Sequence, residues 1–165
     1  SIALEQDGEV ILGVVYDPMR NELFTAQKEK GAFLNGKPIK VSGIETLIKS
    51  LLATGFPYDR KLSEKNNLDH FHDLLMASQE VRRDGSAALD LCSVAAGRFD
   101  GFWELKLKPW DVAAGSLIVL EAGGRVSNFA GTKFSIHDDE VLASNGKIHS
   151  QMVEILCKAG STTGR

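Results

Sequence analysis

The strongest constraint on the fold is a change of rhythm near residue 50. Residues 1–41 carry β signals almost without interruption. Asp7-Gly8 is a hairpin turn signal between Ile2–Leu4 and Val10–Tyr16, and Asn35-Gly36 is another between Ala32–Leu34 and Ile39–Val41. Leu23–Gln27 fits a further strand. The run from Val10 to Tyr16 is nearly all apolar and rich in β-branched residues, which predicts a strand buried on both faces. After Leu51–Thr54, a short apolar strand, helical spacing takes over. Helices are predicted over 66–78, 86–96, 111–122 and 147–158, with strands at Gly101–Leu105 and Val141–Ala143 between them. Gly97 and Gly123-Gly124 stop two of these helices. Antiparallel strands followed by strands alternating with helices imply a layered α/β arrangement.

Composition narrows the function classes. The chain has 165 residues, 43% hydrophobic and 25% charged, with a formal charge of −3. Enough apolar material is present to exclude disorder, and no apolar run approaches the roughly 20 residues that span a bilayer. The slight acidity leaves no footprint for direct nucleic-acid contact. Cys92 and Cys157 are too few for a disulfide framework, so a reducing, cytoplasmic setting is expected. The small polar stretch 160–165 reads as a frayed tail, and residues 1–159 as a single partial domain.

Three segments can carry chemistry. Asp111 follows Pro109-Trp110 at the mouth of an apolar helix, where a carboxylate either caps backbone N–H groups or serves as an oxygen donor to Mg²⁺. The roles are compatible, since it has two oxygens. Gly85-Ser86-Ala87 joins a strand to a helix through small residues; it is an ordinary turn with Ser86 as cap, or a mouth where a ligand approaches exposed N–H groups. Asp90, inside the following helix, is expected to make a structural hydrogen bond. Glu104 ends a strand seven residues before Asp111, as a solvated edge carboxylate or part of a ligand site. His70 and His72 point to different helix faces, and His137 and His149 lack ligand-like company. No GxSxG, GxGxxG or Walker motif occurs.

Together these motifs resemble the inositol monophosphatase family, in its bacterial extragenic-suppressor branch. The resemblance rests on Gly85-Ser86-Ala87-Ala88-Leu89-Asp90-Leu91, on Ala95 to Glu104, and on Trp110-Asp111-Val112-Ala113-Ala114-Gly115 with Glu121-Ala122-Gly123-Gly124. Upstream, Gly13 to Pro18, Gly31 to Gly36 and Thr54 to Tyr58 also match. The resemblance implies a Mg²⁺-dependent phosphomonoesterase with a layered αβαβα fold. It implies that Asp111 is a catalytic metal ligand, that Glu104 holds a substrate hydroxyl, that Gly85, Ser86 and Ala87 contact the polyol, and that Arg82 lines the site. A homodimer is expected, with inositol monophosphate as substrate. Nucleoside bisphosphate, fructose bisphosphate and histidinol phosphate are the alternatives, and a transcription-machinery protein partner is a second role. The family's Gly-Glu-Glu and Asp-Pro-x-Asp-Gly-Thr segments, which bring most metal ligands and the water-activating Thr, do not occur; Asp17-Pro18 continues as Met19-Arg20. Residues 1–165 are therefore expected to be part of a longer chain and inactive alone.

Overall fold

The computed structural model describes residues 1–159; the expected tail at 160–165 lies outside the described residues. Two five-stranded sheets and four helices form alternating layers. The first sheet is an antiparallel meander of β1 (Ile2–Gln6), β2 (Glu9–Asp17), β3 (Glu22–Gln27), β4 (Ala32–Leu34) and β5 (Lys37–Pro38). Asp7 and Gly8 take positive φ at the first turn, as do Asn35 and Gly36 at the last, which is what two-residue hairpins require. The strand expected at 39–41 is instead the two-residue β5: Ile39 N–H still donates to the carbonyl of Ala32, but Val41 N–H turns away to the carbonyl of Ala122.

β2 departs from the expectation of burial on both faces. Gly13, Val15 and Asp17 point inward, whereas Leu12 and Tyr16 stay 38% and 50% exposed. Ile2, Leu4 and Leu23 share that open face, and no helix among the described residues covers it.

The second sheet has the order β7-β6-β8-β10-β9. Its strands are β6 (Leu51–Thr54), β7 (Glu80–Arg82), β8 (Gly101–Leu105), β9 (Arg125–Ser127) and β10 (Glu140–Ser144). β6 is parallel to β7 and to β8; β8, β10 and β9 run antiparallel. β9, which sequence patterning missed, has three residues and too little pattern to register. The central strands are buried on both sides. On β8, Phe102 enters the core shared with α2 (Ala87–Ala95) and α3 (Pro109–Glu121), while Trp103 enters the core shared with α1 (Leu68–Ala77) and α4 (His149–Ala159). Thus α2 and α3 lie between the sheets, and α1 and α4 cover the far face of the second. These are four alternating layers of an α/β fold. None of the helices is long and apolar enough to cross a membrane.

Close backbone approach fixes the middle layer. A Cβ on Gly13 would stand 2.8 Å from the backbone oxygen of Ala114, so glycine lets α3 lie directly on β2. Gly115 does the same between α3 and Leu91 of α2.

Candidate functional site

Strand alternation aims Glu104 at the middle helices. It shares the side of β8 that carries Phe102, and so faces the N-terminal ends of α2 and α3. It is 9% exposed rather than a solvated edge group. Burial, then the charge of Asp111, raises its carboxyl to about 7, opposed by the Arg83 guanidinium. A Cβ on Gly55 would stand 2.2 Å from Oε1 of Glu104, so the carboxylate is wedged over the backbone beyond β6.

That backbone is held by a buried polar network. Thr54 Oγ1 donates to the carbonyl of Trp103 at 2.5 Å. Asn67 Nδ2 donates to Thr54 Oγ1 and to the carbonyl of Gly55, and Trp103 Nε1 donates to Asn67 Oδ1 at 2.8 Å. Each of these side-chain groups has a partner, so the seat of Glu104 is rigid. Phe56, next in chain, stacks on Phe71 and lies 4.6 Å beneath the Arg83 guanidinium. Lys106, at φ 60°, anchors the following loop through Asp59 and Ser63.

Asp111 is the third residue of α3, not its first or N-cap residue. Lys108 caps the helix, Pro109 takes the first position where no N–H is needed, and Asp111 Oδ2 accepts the Lys108 backbone N–H at 2.9 Å. The capping role and a ligand role divide its two oxygens: among the described residues no hydrogen bond engages Oδ1.

The Gly85 turn opens the other helix. Gly85 has φ +90°, and nothing stands within 4 Å of where its Cβ would lie. Ser86 is the N-cap of α2, but its side chain makes no capping bond, so the hydroxyl and the first-turn N–H groups are free to bind elsewhere. Of the two arginines, Arg82 is exposed on β7, whereas Arg83 is the one whose charge Glu104 feels. Alternation along a three-residue strand gave no means of choosing between them.

Asp90 is a correction. The expected structural hydrogen bond is absent: Asp90 is 2% exposed, and Oδ1 has no partner among the described residues. His149, expected to lack ligand-like company, has two serine hydroxyls as its partners. Buried at the start of α4, it lies 2.8 Å from Ser127 Oγ through Nε2 and 2.8 Å from Ser144 Oγ through Nδ1. Ser127 Oγ donates to the carbonyl of Asn128, so it accepts from Nε2–H, and Ser144 donates to Nδ1. Burial lowers this imidazole to about 4, so it is a neutral structural clasp.

The residues present do not by themselves fit a metal ion. Among the described residues no three His, Cys, Asp or Glu side chains are grouped to hold one, and Asp111 offers a single uncommitted oxygen. Two cavities lie elsewhere, beside the β1–β2 hairpin and α3. One of about 480 Å³ has an apolar floor that includes Val10, Leu117 and Phe134; another, of about 270 Å³, reaches Pro109 and Trp110 beside Asp111.

Comparison with known proteins places this geometry. The inositol monophosphatase family model matches residues 1–161. A protein of Synechocystis named inositol-1-monophosphatase is 50% identical over 145 residues, 88% of this chain and 50% of that protein. The Nus factor SuhB of Escherichia coli is 46% identical over 153 residues, covering 93% of this chain and 57% of its own length. The solved structure of an inositol monophosphatase from Anabaena (Nostoc) superposes with a TM-score of 0.93 at 46% identity, covering 94% of this chain and 62% of that one. The chain thus spans about half to three fifths of the length of these relatives. With the layered fold, the Trp110–Gly115 block and the matched span in agreement, the chain belongs to the inositol monophosphatase family.

Proposed function

We propose that residues 1–159 are the alcohol-orienting part of a phosphomonoesterase whose substrate is inositol monophosphate. What supports this reading is that buried Glu104 on β8 feels both Asp111, in the first turn of α3, and Arg83, two residues before the Gly85 turn that opens α2. Glu104, raised to about 7, is poised to accept a substrate hydroxyl proton in a hydrogen bond. The free first-turn N–H groups of α2 and the Ser86 hydroxyl bind a neighbouring ring oxygen. Asp111 would offer its uncommitted oxygen to a Mg²⁺ ion held mainly by groups outside these residues. Arg82 and Arg83 line the rim, and the cation of Arg83 opposes the rise of the Glu104 carboxyl. Nucleoside bisphosphate, fructose bisphosphate or histidinol phosphate would engage the same corner. Assembly as a cytoplasmic homodimer is part of the proposal, checked by light scattering.

A chimera tests it: residues 1–165 joined, in native order, to the unmatched half of the Synechocystis protein. The chimera is expected to release phosphate from inositol 1-phosphate with Mg²⁺, and residues 1–165 alone to release none. Asp111→Asn is expected to cut turnover roughly 100-fold, because the amide still caps α3 but is a poor metal ligand. Release by residues 1–165 alone, or an active Asp111→Asn chimera, would sink the assignment.

The 46% identity to a Nus factor supports a second reading, a protein partner in the transcription machinery. A folded chimera that releases no phosphate but co-purifies with bacterial RNA polymerase would favour it.

A further inference from the structure

Asp90 takes no part in the corner formed by Glu104, Asp111 and the Gly85 turn. It sits on α2, one helical turn in from Ser86, and its backbone N–H donates to the carbonyl of Ser86 at 2.8 Å. Asp90 is 2% exposed, and its Oδ1 is buried with no partner among the described residues. Leaving a buried polar group unpaired forfeits its hydration without return, and native proteins keep few such groups outside functional sites. The groups that bear on it are Asp84, on the turn before α2, and Glu104, across on β8; both are acids. A buried carboxyl beside two acids, with no cation facing it, is a poor structural device.

We propose that Asp90 is a specificity-determining residue whose unpartnered carboxyl, one helical turn in from Ser86 on α2, takes a hydroxyl of a polyol substrate. The proposal rests on the phosphatase reading above. Burial and the two neighbouring acids push the Asp90 carboxyl to about 8, so near neutral pH it keeps its proton. A protonated carboxyl presents one donor and one acceptor, which matches a hydroxyl, itself donor and acceptor. An ammonium ligand would instead need the ionised form. The pair Asp90 and Glu104 then reads two hydroxyls of one ring. An analogue lacking one of them leaves a buried carboxyl unpaired, which is how sites reject ligands that lack a hydroxyl.

The test uses the 165-residue chain with myo-inositol as probe, followed by NMR titration and thermal melting. Asp90→Leu fills similar volume without polarity. It is expected to raise the melting temperature, since it removes an unpaired buried carboxyl, and to weaken myo-inositol binding about tenfold, one missing hydrogen bond. Asp90→Asn keeps a donor and an acceptor and is expected to retain most of the affinity. In the wild type, the ¹³C resonance of the Asp90 carboxyl should move on saturation with myo-inositol. Undiminished affinity in Asp90→Leu, or an unmoved Asp90 carboxyl in a wild type that binds, overturns the proposal. Should Asp90→Leu fail to fold, the carboxyl resonance and Asp90→Asn decide alone. If wild type and Glu104→Gln alike show no myo-inositol binding, the phosphatase corner itself is refuted, and this proposal with it.

Discussion

Glu104 shows how a single position acquires chemistry from its neighbours. Burial raises its carboxyl first, Asp111 raises it further, and Arg83 pulls it back. Its ¹³C carboxyl titration is expected to centre at about 7. Asp111→Asn should move that midpoint down by removing a like charge, and Arg83→Gln should move it up by removing a cation. A midpoint near 4.5, the ordinary value, unmoved by either change, would mean that the corner is open to water. Gly55→Ala probes the same seat sterically. Its Cβ would fall 2.2 Å from Oε1, so Glu104 must swing away. The expected outcome is weaker polyol binding, about tenfold, with little loss of stability, because a side chain yields more easily than backbone.

At the scale of elements, α3 and α4 make opposite demands. α3 lies on the first sheet by backbone contact, and a methyl on Gly13 would meet the Ala114 carbonyl, which cannot rotate away. Gly13→Ala is expected to cost about 1–3 kcal/mol in urea denaturation, the range for overpacking. α4 is clasped through His149, whose Nδ1 can accept from Ser144 only in the neutral form, while Nε2–H donates to Ser127. Its folded value, about 4, lies below the ordinary 6.5, so the stability it gives is complete above pH 6.5 and is lost as pH falls toward 4. The full loss is about 3 kcal/mol. The stability gap between wild type and His149→Gln should therefore narrow by that amount between pH 7 and pH 4; a constant gap would contradict the clasp. Elements were legible where pattern or turn chemistry was strong: β6 and β8 match their expected bounds, and the Asn35-Gly36 turn sits where its residues demand. Asp111 was misplaced by two positions because Pro109 starts a helix as readily as it precedes one. Asp90 and His149 were opaque, because the isolation of one and the partners of the other arise between segments distant in sequence.

For the whole molecule, alternating layers set β8 of the second sheet against α2 and α3, the three elements that carry the proposed corner. The open face of the first sheet is a second whole-molecule feature. Ile2 and Leu4 are 69% and 54% exposed there, beside Leu12, Tyr16 and Leu23. Contiguous apolar surface of this kind binds hydrophobic probes and associates. Residues 1–165 are expected to enhance the fluorescence of anilinonaphthalene sulfonate, and the Synechocystis chimera to do so less; equal signals would show that the added half leaves the face open. The central claim is that the polyol corner is built within residues 1–159. Amide NMR mapping of inositol 1-phosphate on this chain tests it most directly. The account predicts shifts confined to Gly85–Leu89, Phe102–Leu105 and Trp110–Val112. Shifts that map instead to the cavity between the β1–β2 hairpin and α3, around Val10, Leu117 and Phe134, with the Gly85 turn and Glu104 unmoved, would contradict it.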